Sequence, residues 1–152
     1  MVVYRIDREK RKNDLLSGVG AQEYGGRWNK IGTKAIYASQ HVSLAYLEVA
    51  MHLNMTMSLP TDRILVHIEI PNTIKIETLE KLPTDWRRLP YNYETQEIFT
   101  RFCKQERGLV LRVPSVVVPS EYNFIINPIH KDFKRIKILK TEKFIFDDRL
   151  LK

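Results

Sequence analysis

The sequence predicts an α+β fold, a compact single domain over residues 1–152 with a mixed, largely antiparallel sheet and flanking helices. Three observations predict it. Segments of strand periodicity and of helix periodicity follow one another irregularly, without the strand–helix–strand repeat of a parallel sheet. The clearest strand, Ile64–Ile70 (ILVHIEI), puts Ile64, Val66, Ile68 and Ile70 on one face and His67 and Glu69 on the other, the pattern of a half-buried strand. The chain of 152 residues is 43% hydrophobic and 28% charged, as an ordinary globular protein is, and that length suffices to bury roughly 70% of the unfolded surface.

The remaining elements follow in chain order. Leu15–Gly26 holds four glycines and reads as a loop that brings backbone close to a neighbour. Lys34–Ala38 is a short strand, and Ser39 is placed to cap a helix from about Val42 to Asn54. Pro83–Asn92 is a turn-rich connection carrying Trp86. Tyr93–Arg107 has Ile98, Phe99 and Phe102 at helical spacing, with Gly108 as its stop. Leu109–Val118, Tyr122–Ile126 and Ile136–Phe146 supply further strands; in the last, Ile136 and Ile138 share a face opposite Arg135 and Lys137.

Composition narrows the setting. No run of about 18 apolar residues is present to form a transmembrane helix, and the N-terminus MVVYRIDREKRK lacks the apolar core of a signal peptide. The single cysteine, Cys103, allows no intramolecular disulfide and fits a reducing compartment. Cytoplasmic residence is the expectation. With 25 Lys and Arg against 18 Asp and Glu, the net charge of +7 favours polyanions or an acidic partner. The basic residues at Arg5–Lys12 and Lys131–Lys143 read first as solvated faces.

Chemistry concentrates in GGRWNKIGTKAIYASQHVSLAYLEVAMHL, residues 25 to 53. Glu48 is the one charge in the helical run VSLAYLEVAM, on a face with Leu44, Leu47 and Met51. A carboxylate there needs a partner or a changed ionisation; it is either a functional acid or half of a structural pair, for instance with His52. Arg27 follows two glycines, which let a ligand approach the backbone. Its guanidinium suits phosphate, or it is a surface arginine beside a turn. Trp28 is core or pocket wall, and Tyr37 either stacks on a ring or packs. Ser115, between Pro114 and a valine run, is a polar residue in an apolar strand, with Pro114 imposing a bend or an edge. No Gly-x-Ser-x-Gly elbow surrounds it. Asn123 and Asn127 flank an apolar strand and suit turns as well as ligand contacts. The glycine fingerprint of a dinucleotide-binding strand–helix turn fails at Glu23, no Walker loop occurs, and the four histidines with Cys103 have no zinc spacing. No metal is expected.

Taken together, GGRWN, AIYAS, SLAYLEVAMHL, the Leu82-Pro83…Trp86-Arg87 segment and LVLRVPSVVVPSEYNFIINPIHKDF resemble the RES-domain family, toxins of RES–Xre toxin–antitoxin modules. The resemblance runs from about Tyr4 to Ile138. It implies a fold similar to the catalytic core of ADP-ribosyltransferases, and NAD+ as the substrate. By position it assigns Arg27, Tyr37, Glu48 and Ser115 as the catalytic set, with Ser120 a lesser alternative to Ser115, and Trp28 and Asn123 beside them as dinucleotide contacts. The chain has Lys131 where the family more often has proline, a departure outside that set. The implied chemistry is cleavage of the nicotinamide–ribose bond. Arg27 and Ser115 hold pyrophosphate or ribose, Tyr37 stacks on the nicotinamide or positions its ribose, and Glu48 bonds the ribose hydroxyls and stabilises developing positive charge. The acceptor is water, phosphate or a protein side chain. An Xre-type antitoxin is the implied partner, occluding the site and supplying any DNA contact, and no membrane is involved. Two other functions compete: a ribonuclease, suggested by the basic charge, and a non-catalytic binding module. A ribonuclease needs an acid/base pair beside phosphate-binding groups, and His52 is the one evident partner for Glu48.

Overall fold

The structure, a computed structural model, describes residues 1–53, 59–147 and 149. Its strands are β1 (Val2–Arg8), β2 (Ile36–Ser39), β3 (Arg63–Glu69), β4 (Ile76–Thr78), β5 (Val110–Pro114), β6 (Tyr122–Ile126) and β7 (Lys137–Phe144). They form one seven-stranded sheet among the described residues, in the order β4-β5-β6-β2-β1-β3-β7. Every pairing is antiparallel except β4 with β5. The expected α+β class and largely antiparallel sheet are what the chain forms. Three α-helices accompany the sheet: α1 (Val19–Tyr24), α2 (Val42–Ala50) and α3 (Tyr93–Lys104).

The alternation of side chains divides the core in two. Val3, Ile36, Val66, Ile68, Phe124 and Ile126 fill one side of the sheet. On the other, α3 packs Phe99 and Phe102 onto Leu111, Val113 and Ile125, together with Trp28. There α2 packs Ala45 onto Ile6 and Leu65. Strand β3 buries Ile64, Val66 and Ile68 as its alternation predicts, but Leu65 is buried too, because α2 covers the second face. Among the described residues no helix is long and apolar enough to cross a membrane.

Several elements differ from the sequence expectation. β1 lies in the middle of the sheet although its residues read as a charged terminus; Val3 and Ile6 are buried on opposite faces, so the apolar positions do not alternate. Leu15–Gly26 is not all loop: α1 starts after Gly18, whose φ of 69° is left-handed and whose position leaves a Cβ only 3.0 Å from Ala35 N and Pro128 Cγ. Ser39 does not cap α2. His41 holds the N-cap position and makes no side-chain cap, while Ser39 ends β2 and bonds elsewhere. α2 ends at Ala50, and Asn54, the predicted last residue, lies outside the described residues. α3 stops at Gln105, with Glu106 taking the positive φ of 50° that Gly108 was expected to provide. β5 ends at Pro114 rather than Val118, since proline has no N–H to give and β4 has already ended. In β7, Ile138 does not share the burial of Ile136: the strand is an edge, and Ile138 is 38% exposed beside its lysines.

One irregularity of the sheet lies beside the cleft. β1 and β2 share a single residue pair, Tyr4 with Ser39, whereas β1 pairs along its whole length with β3. Arg5 reaches across beside that pair, donating from Nη1 to the Tyr37 carbonyl at 3.0 Å while Asp7 holds its Nε and Nη2 at 2.9 and 2.7 Å.

Candidate active site

Arg27, Trp28, Tyr37, Glu48 and Asn123 all line one cleft of about 520 Å³. Such a volume suits a small ligand. The sequence separates these residues by up to 96 positions (123 − 27), and β2, β6 and α2 bring them together.

Glu48 sits on α2 at the third residue from its end, half-buried, with Leu47 37% and Met51 70% exposed. The expectation of a carboxylate enclosed with those two side chains is therefore corrected. They face outward, and Glu48 turns toward the sheet. Its Oε1 accepts from Ser115 Oγ at 2.8 Å and from Asn123 Nδ2 at 2.5 Å. No described residue donates to Oε2. The partners lie across the sheet and not one turn on at His52, which lines the same cleft.

A second layer fixes those donors. Ser115 is fully buried and does not line the cleft; its Oγ accepts from the backbone N–H of Val117 and Val118 at 3.0 and 3.1 Å, leaving its hydroxyl proton for Glu48. Pro114 ends the strand there, so the chain turns back on the serine. Asn123, opposite Ser39 in the β2–β6 register, has its Oδ1 occupied by the Ser39 hydroxyl at 2.7 Å, which turns its NH₂ toward Glu48. The side-chain polar atoms of Ser115 and Asn123 are all hydrogen-bonded, the condition under which buried polar groups rigidify a site.

The Gly25–Asn29 loop supplies the facing wall. Tyr37 Oη donates to Asn29 Oδ1 at 2.7 Å and accepts from Trp28 N at 3.2 Å. Its ring lies along the cleft, but the buried hydroxyl is strongly disfavoured from ionising, so desolvation holds the pKa well above its ordinary value. Gly26 makes this possible: a Cβ there would come within 2.7 Å of Tyr37 Oη and 2.9 Å of Asn29 Oδ1. Asn29, fully buried, anchors the loop by donating to the Ala21, Lys30 and Thr33 carbonyls.

Arg27 is held from the Pro83–Asn92 connection. Its Nη1 donates to the Trp86 carbonyl at 2.6 Å and the Arg88 carbonyl at 3.2 Å, and Tyr91 lies 5.1 Å below the guanidinium carbon. Trp86 stacks on Trp28, which is 3% exposed and serves as both core and cleft wall. Desolvation lowers the Arg27 pKa, with Tyr91 and Glu48 acting in the opposite sense.

Some residues that build the site carried no sequence signal for that role. Asn29 and Ser39 act through hydrogen bonds to residues distant in the chain. Arg5 and Arg11, read as part of a solvated basic face, line the cleft, although Arg8, Lys10 and Lys12 are exposed as expected. Asn127, the other asparagine of its pair, is a turn residue whose Oδ1 accepts from Ile129 N.

Comparison with known proteins identifies the family and the fold. The family model described as the RES domain matches residues 2–147. A protein of Photorhabdus laumondii named Toxin Res is 42% identical over 154 residues, covering 100% of this chain and 98% of its own. One from Sphingobium sp. named Prs ADP-ribosylating toxin is 38% identical, covering 98% and 96%. The fold is similar to that in the crystal structure of the M. tuberculosis MbcT–MbcA toxin–antitoxin complex, with a TM-score of 0.76 at 17% identity over 94% of this chain and 83% of that one. The chain belongs to the RES-domain family.

Proposed function

We propose that the chain is the toxin of a toxin–antitoxin pair and cleaves the nicotinamide–ribose bond of NAD+, depleting NAD in the cytoplasm and arresting growth. The observation that carries this reading is the carboxylate of Glu48, held on one oxygen by Ser115 and Asn123, in one cleft with Arg27 and Tyr37. The name of one relative, for ADP-ribosylation, and the similarity of fold to a toxin solved in complex with its antitoxin support it.

In this reading the C1′–N bond breaks with its electron pair leaving on nicotinamide, which departs as a neutral base and so needs no metal. Positive charge grows on the ribose carbon and ring oxygen. A carboxylate fixed beforehand stabilises that charge without reorganising as the bond breaks. The oxygen of Glu48 to which no described residue donates is turned to the ribose hydroxyls or the developing cation. Arg27, with Nη1 committed to two carbonyls, keeps its remaining donors for phosphate or ribose oxygens. Tyr37 offers its ring to the nicotinamide, its hydroxyl being occupied. Trp28 walls the pocket. Ser115 acts through Glu48 as a positioning residue rather than on substrate, and so does Asn123. An acceptor lone pair then forms the new bond to C1′ and sheds its proton. Water gives hydrolysis, phosphate gives phosphorolysis and a protein side chain gives ADP-ribosylation. An Xre-type antitoxin closing the cleft is the proposed partner, and it brings any DNA contact with it.

The test is to incubate the purified protein with NAD+, with and without phosphate, and follow nicotinamide release and the ADP-ribose product. Intact NAD+ alongside cleaved RNA would replace this reading with that of a ribonuclease. Neither activity, in a folded protein, would leave a binding module.

A further inference from the structure

Arg11 has no part in the network above. It ends a short 3-10 turn, Glu9–Arg11, and its half-buried side chain lines the cleft together with Ser17, Gly18 and Val19. The guanidinium lies tight against Gly20, where a Cβ would collide with Nη1. The three arginines of the cleft differ in what they are bonded to. Arg5 is engaged by Asp7 and the Tyr37 carbonyl, and Arg27 by the Trp86 and Arg88 carbonyls. For Arg11, no described residue accepts a hydrogen bond from the guanidinium, and no described carboxylate stands within ion-pair distance. A guanidinium drawn partly out of water without an acceptor costs free energy unless an anion completes it. With Arg5 neutralised by Asp7, the cleft lining still sets Arg11 and Arg27 against one carboxylate, Glu48, so its charge favours an anionic ligand.

We propose that Arg11 binds the diphosphate of the dinucleotide on the α1 wall, while the α2 wall presents Glu48 to the ribose that reacts; this rests on the NAD+ reading above. The planar fork of donors matches two phosphate oxygens, as an ammonium does not. Gly20 is then a specificity position, because its missing side chain is the space the guanidinium occupies.

The experiment is calorimetric titration of ADP into wild type, Arg11→Ala, Gly20→Ala and Lys10→Ala, with a thermal melt of each. Arg11→Ala weakens ADP by roughly ten- to a hundred-fold, the worth of a hydrogen bond to a charged group. Gly20→Ala keeps the arginine but displaces it. The contact it disturbs is the free end of a flexible side chain, and alanine favours a helix, so it weakens ADP without lowering the melting temperature. Lys10, exposed, binds nothing, and its alanine variant behaves as wild type. Wild type that fails to bind ADP, or Arg11→Ala that binds as tightly as wild type, overturns the proposal. NAD+ turnover separates the two claims. ADP binding that depends on Arg11 without NAD+ consumption sinks the function and keeps this site; NAD+ consumption with ADP binding indifferent to Arg11 does the reverse.

Discussion

Among the described residues, Glu48 takes both of its hydrogen bonds on Oε1, so the two oxygens have separate tasks, one for orientation and one for the cleft. Glu48→Gln keeps shape but removes the charge: its amide oxygen still accepts from Ser115 and Asn123, and an NH₂ replaces the oxygen that faces the cleft. We expect kcat for nicotinamide release to fall by about 10²–10³ with KM nearly unchanged, the loss typical of removing one preorganised electrostatic contact. Steady-state kinetics on NAD+ checks this, and undiminished kcat would remove Glu48 from the mechanism. Ser115→Ala acts differently. It strips Glu48 of a donor and also leaves the Val117 and Val118 N–H groups without their acceptor. Each buried group left unpaired costs about 1–3 kcal/mol, so this variant loses stability as well as turnover. Urea unfolding followed beside kcat distinguishes it from Glu48→Gln, which should lose turnover mainly.

At the scale of elements, legibility tracked the cause of each fold decision. β3 and α3 were readable because their own side-chain period determines most of what they bury, and β6, buried on both faces, because its apolar run is bounded by asparagines. β1 was not, since its apolar residues point to two faces that are defined only by α2 and by the opposite core. α1 is six residues long and glycine-started, too short for periodicity to register. The site followed the same rule. Glu48 could be picked out from its unusual local setting and Arg27 and Tyr37 only with the family resemblance, whereas Asn29, Ser39 and Arg11 depend on who faces them in space. A testable consequence concerns the caps. Asn92 Oδ1 accepts from Glu94 N at 2.7 Å, while the amide nitrogen of Asn92 reaches back to the Thr84 carbonyl at 3.4 Å. Asn92→Ala should cost about 0.5–2 kcal/mol, read as a lower urea midpoint with an unchanged m value. α2 has no such side-chain cap. Its position depends on Ala45 and Leu44 packing against the sheet and on Glu48 bonding across it, so His41→Ala should leave stability within about 0.5 kcal/mol of wild type.

For the whole molecule, burial of two ionisable side chains sets the response to alkali. Desolvation pushes the Cys103 thiol up to about 12 and holds the Tyr37 hydroxyl well above its ordinary range. In the unfolded chain the same groups lose their protons near pH 8.5 and 10. Below about pH 8 both states keep both protons, and stability does not depend on either group. Above that, the unfolded state releases protons that the native state retains, so the unfolded state is favoured progressively and stability falls as pH rises. Each group contributes at most about 1.4 kcal/mol per pH unit over its window, first Cys103 and then Tyr37. Unfolding free energy measured from pH 7 to 11 should therefore bend downward above about pH 8.5, with a steeper fall past about pH 10. Cys103→Ala should remove the first bend and leave the second. Tyr37→Phe should flatten the second, at the separate cost of leaving Asn29 Oδ1 without its donor. A thiol so held also stays unreactive toward Ellman's reagent at pH 8 until the protein unfolds. Reaction of the native protein at the rate of a free thiol would mean that α3 does not seal Cys103 in the core, and that the first bend has another origin.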